Sequence, residues 1–178
     1  MSRTRRDREF ARFVEERSPR LLLLARHLCG DPHLAEDLTQ AVLEKVYLKW
    51  ARVSAAEDPY LYVRRMLVNL NNDRLRKRPW NETPVAFTPD RADLAADPRP
   101  SAARDQNVLL DRLALHRALA ELTPRERAVV VLRYLEDLTE ADTAAELGIR
   151  IGTVKSACSR ALGKLREFAR TTHDEEVG

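Results

Sequence analysis

Cysteine is nearly missing from this chain. Cys29 and Cys158 are the only two, far apart and without metal-type spacing, which excludes a cysteine-built metal site. Glycine is almost as scarce, at five residues, and no Gly-rich phosphate loop occurs. Aromatics make up 6% and strand-type alternation is absent, so the composition favours helices. No apolar run is longer than Leu21 to Ala25, which falls far short of the ~20 residues that a membrane span needs. The Arg-rich start is not followed by the apolar stretch of a secretory leader. A soluble, cytoplasmic chain is expected. His27, His33, His116 and His173 are scattered, and no nucleophile motif accompanies them. The search for an enzyme is therefore negative, and neither cofactor nor metal is expected.

What is present is 44% hydrophobic residue and 33% charge across 178 residues, with a formal net charge of only +3. Partners must be read from how the charge is distributed. Residues 1–80 carry 17 basic and 11 acidic side chains, 123–148 carry 3 and 6, and 149–170 carry 6 and 1. This abrupt swing to positive charge is the footprint expected for a phosphate backbone.

The apolar periodicity predicts helices throughout. Phe10, Phe13, Val14 and Arg17 follow helical spacing. Ser18-Pro19 reads as a cap that opens a new helix ending at Gly30. Asp31-Pro32 opens a helix to about Trp50, with Leu34, Leu38, Val42 and Val46 in its stripe. After a loop over 51–58, Pro59 opens a helix to about Lys77, with Leu61, Met66, Leu67, Leu70 and Leu75 as expected core. These helices are expected to form a domain over residues 1–78. Five of the nine prolines lie between Pro79 and Pro100, with no apolar period, which marks 79–102 as an extended linker.

The second domain is expected over 103–170, with an acidic tail at 171–178. Val108, Leu109, Leu113 and Leu119 mark its first helix. Thr123-Pro124-Arg125-Glu126 is a capping box that opens a helix with Val129, Val130, Leu132 and Leu135. Thr139-Glu140-Ala141-Asp142 opens the next, and Leu147-Gly148-Ile149 makes a tight turn into a last helix, from about Gly152 to Ala169. Its stripe of Val154, Ala157, Cys158, Ala161, Leu162, Leu165 and Phe168 faces inward, Cys158 as a small core residue. The pair of helices reads as a helix-turn-helix unit. The fold expected is all-α: two small helical domains joined by a Pro-rich linker.

Three faces are candidates for function. Arg150, Thr153, Lys155, Ser156, Ser159 and Arg160 give the last helix side chains of moderate reach plus cations, as a major-groove reader needs; a plain solvated basic face is the alternative. Tyr60, Tyr62, Arg64, Arg65, Asn69, Asn72, Arg74 and Arg76 put aromatic, amide and cationic groups on one helix, which suits unstacked bases; a surface helix with its tyrosines packed inward is equally open. Glu36, Asp37, Gln40 and Glu44 form an acidic stripe, either solvated or a dock for a basic protein. A free-standing helix-turn-helix regulator and a DNA-processing enzyme remain open on the residues alone. The first leaves the aromatic-basic helix and the linker unexplained. The second lacks a nucleophile and a carboxylate cluster.

The chain resembles the extracytoplasmic-function (group IV) sigma factors of bacterial RNA polymerase. Ala35-Glu36-Asp37-Leu38-Thr39-Gln40 is similar to their polymerase-binding segment, and Tyr60 to Asn69 followed by Asp73-Arg74-Leu75-Arg76 to their −10 segment. Leu122 to Leu135 and Ala144 to Leu165 are similar to their −35 domain. The resemblance implies that Glu36, Asp37, Gln40 and Glu44 dock on the β′ clamp helices of core polymerase. It implies that Asn69 helps hold a flipped −10 base beside the loop from Val53 to Pro59, and that the linker threads through polymerase. The β flap and an anti-sigma factor are further partners expected from the class. One position departs from the pattern: Arg150-Ile151 stand where a small polar N-cap belongs, leaving open a helix start as late as Thr153.

Overall fold

The computed structural model describes residues 3–77 and 114–177. The first half contains α1 (Arg3–Cys29), α2 (Pro32–Leu48), the short α3 (Trp50–Val53) and α4 (Pro59–Lys77). The second contains α5 (residues 114–120), then α6 (Pro124–Val130), which continues as a π-helical turn over Val131–Leu135. It closes with α7 (Glu140–Leu147) and α8 (Ile151–Val177). No strand occurs among the described residues. The expected linker and Val108, Leu109 and Leu113 lie outside them.

Local signals set most of these ends. Asp31 caps α2 by accepting from Leu34 N at 3.0 Å, with Pro32 in the first turn. Asp58 does the same for α4, accepting from Tyr60 N at 2.8 Å and Leu61 N at 3.2 Å. The Thr123–Glu126 capping box forms as the sequence predicts, through bonds of 3.1 and 3.4 Å. Thr139 caps α7, and Gly148 ends it in a left-handed conformation, φ 63°.

Three expectations about helix limits are corrected. Ser18-Pro19 does not divide the first helix, because α1 runs through Pro19. An interior proline costs about 3 kcal/mol, but Phe13 before it and Leu21, Leu24, Ala25 and Leu28 after it are all buried, and that continuous face outweighs the loss. The last helix starts at Ile151 rather than Gly152 or later, with Arg150 O accepting from Thr153 N at 2.8 Å and Val154 N at 3.2 Å. It also passes Ala169 to reach Val177, since neither Gly nor Pro interrupts that stretch. A smaller change is at Lys49, which separates α2 from α3 before Trp50.

The core places Leu21, Val42, Val46, Val53, Val63, Leu67 and Val68 in full burial. Phe10 and Phe13 meet the Trp50 ring at 5.4 and 5.3 Å between centroids. The same buried cluster continues into the second half through Leu119, Leu122, Val130, Val131 and Leu132. A smaller cluster of Val129, Ala144, Val154 and Ala157 holds the helix-turn-helix together. Leu61 and Leu135, expected inside, are 46% and 38% exposed. The buried line of α4 is Tyr60, Val63, Arg64, Leu67, Val68 and Asn71, so a cation occupies a position that an apolar count skips. No helix among the described residues is long and apolar enough to cross a membrane.

Candidate nucleic-acid interface

On α8 the buried side chains are Val154, Ala157 and Ala161, with Cys158 partly covered. Their spacing turns the opposite side outward. Arg150, Lys155, Ser156, Ser159 and Arg160 are exposed there, and Thr153 is half-buried. Lys155 Nζ lies 3.7 Å from Glu140 Oε2, and Arg160 Nε lies 3.4 Å from Glu126 Oε1. Both cations stay mostly in solvent, at 64% and 59% side-chain exposure, so these pairs are weak and give way readily to phosphate. Glu126 is the fixed point beneath them. Burial opposes its charge, yet hydrogen bonds from Lys164 and Thr123 prevail and lower its pKa.

The helix α4 separates its candidate residues into two groups. Arg65, Asn69 and Arg76 are exposed, while Tyr62, Asn72 and Arg74 are half-buried. Arg76 pairs with Asp73 at 2.7 Å, Arg74 donates to Asn71 Oδ1 at 3.3 Å, and Arg52 lies over the Tyr62 ring at 5.9 Å. Tyr60 and Arg64 are buried, and their partners come from the second half of the chain. Arg64 Nη2 donates to Glu146 Oε1 at 2.7 Å and Nη1 to Glu136 Oε2 at 3.5 Å. Tyr60 donates its hydroxyl to the same Glu136 oxygen at 3.4 Å. Arg20 reaches that oxygen at 3.3 Å and covers the Tyr60 ring at 4.3 Å. Burial works against the Arg64 charge, but Glu146 and Glu136 outweigh it and raise its pKa. Burial and the Glu136 charge push the Tyr60 phenol well above its usual range.

A second contact line closes the same seam. Arg127 donates to Cys29 O at 3.1 Å while also binding Leu119 O and Leu122 O, which caps the end of α1 from the other half. Gly30, at φ +71°, leaves room for it: a Cβ there would collide with Arg127 Nη1. The His27 and His116 rings lie 5.1 Å apart, and burial first, then His116, lowers the His27 pKa to about 4. Burial pushes the Cys29 thiol up to about 12, which leaves it inert as a nucleophile.

On α2, Glu36, Asp37, Gln40 and Glu44 are all exposed. Three of them rim a groove of about 600 Å³ between α1 and α2, floored by Val14, Leu22 and Leu43. An acidic rim over an apolar floor suits a basic amphipathic helix. Glu136, Glu146, Arg20 and Arg127 were not singled out from sequence. The acidic excess over 123–148 was visible there, but not the cations that it meets.

Comparisons with known proteins match both halves of the chain. A model of Sigma-70 region 2 matches residues 13–81, and one of Sigma-70 region 4 matches residues 112–165. An RNA polymerase sigma-E factor of Streptomyces avermitilis is 36% identical over 159 residues, covering 89% of this chain and 84% of that protein. The ECF RNA polymerase sigma factor SigL of Mycobacterium tuberculosis is 30% identical over 157 residues, covering 85% and 84%. Among solved structures, the sigma factor RpoE of Bartonella quintana, crystallised with the anti-sigma factor NepR, has a similar fold. Its TM-score is 0.59 at 22% identity, covering 91% of this chain and 97% of that one. Two sigma regions in order, near-full-length relatives and a helix-turn-helix with a basic outer face place this chain in the extracytoplasmic-function group of the sigma-70 family, the subunits that direct RNA polymerase to promoters.

Proposed function

We propose how the faces of this sigma factor divide the work. The α8 face, with Arg150, Thr153, Lys155, Ser156, Ser159 and Arg160, reads the −35 duplex from the major groove. The outer side of α4, centred on Asn69 with Tyr62, Arg65, Asn72, Arg74 and Arg76, holds the melted −10 strand, and Tyr60 and Arg64 join it once freed from the second half. Glu36, Asp37, Gln40 and Glu44 dock on the β′ clamp helices, and the second domain meets the β flap. The boundaries 1–78, 79–102 and 103–170 are those of the −10 domain, linker and −35 domain. The chain acts in the cytoplasm and contributes binding rather than catalysis. The Bartonella sigma factor assembles with an anti-sigma factor, and a similar protein partner fits this chain.

The observation that carries this reading is the separation of charge. The basic α8 face and the acidic α2 face are both exposed on one chain, as binding to DNA and to a basic protein requires. Adding the protein to core polymerase should produce promoter-dependent transcription, and failure to bind core would refute the reading. Asn69→Ala should impair promoter opening and leave core binding intact; loss of core binding instead would make Asn69 a structural residue.

A further inference from the structure

The helices α2, α4, α6 and α7 start on Asp31, Asp58, Thr123 and Thr139, each with a side-chain oxygen that accepts a backbone N–H. The start of α8 is different. Arg150 precedes its first residue, Ile151, and a guanidinium has no acceptor atom with which to cap. Ile151 is 46% exposed, although Ile149, two residues earlier, packs against the core of the helix-turn-helix. Gly152 follows, also exposed, and a Cβ there would meet no atom within 4 Å. No neighbour therefore requires glycine at a helical position that disfavours it. Neither capping, core packing nor helix propensity accounts for Arg150-Ile151-Gly152.

A lone exposed apolar side chain is ordinary on a protein surface, but this one has a particular place. Ile151, Lys155 and Ser159 lie four residues apart, share one row on the outer face of α8, and are all exposed. The N-terminal residues of a recognition helix are the ones that meet base edges. In the major groove every base pair offers hydrogen-bonding groups, and thymine alone adds a methyl group. An aliphatic tip neither donates nor accepts a hydrogen bond, so that methyl is the group it can recognise. The bare backbone at Gly152 lets the groove come close to the helix start.

We propose that Ile151 sets part of the promoter preference of this chain, its side chain packing on the C5-methyl of one thymine in the −35 duplex. The polar and cationic residues further along α8 then hold the register in which that contact is made. The inference rests on the assignment of α8 to the −35 duplex.

The test uses holoenzyme assembled from core polymerase and the full chain. A promoter is first selected from a duplex pool randomised over the −35 element. Each thymine of the selected element, on either strand, is then replaced singly by dU, which removes the methyl and keeps the base pair. Affinity is read by competition against the labelled promoter. At one thymine the wild type should lose about fourfold, the worth of one buried methyl group. Ile151→Ala should bind the two duplexes alike at that step, and Ile151→Val should still tell them apart. The ratio of the two affinities does not change when part of a variant is unfolded, so a structural defect cannot mimic this result. A wild type indifferent to every replacement, or Ile151→Ala keeping the wild-type ratio at each, would overturn the proposal. Lys155→Ala and Arg160→Ala test the underlying assignment separately. Weaker binding of the selected promoter by both upholds α8 as the −35 reader even where the Ile151 result is negative. Unchanged binding by both would refute that assignment, and the role of Ile151 with it.

Discussion

The two helices proposed to meet DNA carry the same kinds of cation in opposite environments. On α8, Lys155 and Arg160 sit beside Glu140 and Glu126 at 3.7 and 3.4 Å, with side chains 64% and 59% exposed. On α4, Arg64 sits beside Glu146 at 2.7 Å with 7% exposure. The difference teaches that ion pairing by itself does not mask a DNA contact. In water a phosphate displaces a carboxylate at little cost. In a buried seam the exchange requires the whole interface to part.

The largest expected effect breaks this contrast at its centre. Glu146→Ala leaves Arg64 buried with only the longer Glu136 contact, and should lower the stability of the folded chain by about 3–5 kcal/mol in urea denaturation. Glu140→Ala, which removes the partner of Lys155, should change it by less than about 0.5 kcal/mol. Equal losses from the two would mean that burial does not separate the faces.

Acid should act on the seam next most strongly. The His27 pKa is lowered in the folded chain from an ordinary 6.5 to about 4. Between these values the unfolded chain takes up a proton that the folded chain refuses. Stability is therefore intact above about pH 6.5 and falls as pH drops toward 4, by up to about 3 kcal/mol from this residue. Denaturation across that window should show the slope, and His27→Gln should remove most of it. An unchanged slope would place the acid sensitivity elsewhere.

The smallest effect on folding sharpens the other side. Lys155→Ala should leave stability within about 0.5 kcal/mol, while lowering the salt slope of duplex binding by about one phosphate contact. A slope equal to wild type would show that Lys155 does not meet the backbone.

Much of this arrangement was legible in the sequence, because it rests on local signals. Asp31, Thr123 and Thr139 announce their helices by capping chemistry, and Val154, Ala157 and Ala161 fix which side of α8 faces outward. The acidic stripe of α2 likewise follows from helical spacing, since Glu36, Gln40 and Glu44 lie four residues apart. What was not legible depends on contacts between distant residues. Pro19 looked like a helix start because the packing of α1 against α2 and α4 is invisible along the chain. Arg64 looked like a free cation because its partners stand 72 and 82 residues away. Leu61 took the place of Tyr60 in the expected core for a related reason: a Tyr–Arg–Glu cluster buries polar groups that no apolar count selects.

The most direct measurement compares two probes on the wild-type chain without polymerase. A labelled duplex and a labelled single strand of the same mixed sequence are titrated at low salt and followed by anisotropy. An exposed α8 face, and an α4 whose Tyr60 and Arg64 are buried, predict salt-dependent duplex binding and weaker binding of the single strand. Single-strand binding as tight as duplex binding by the free chain would contradict the account.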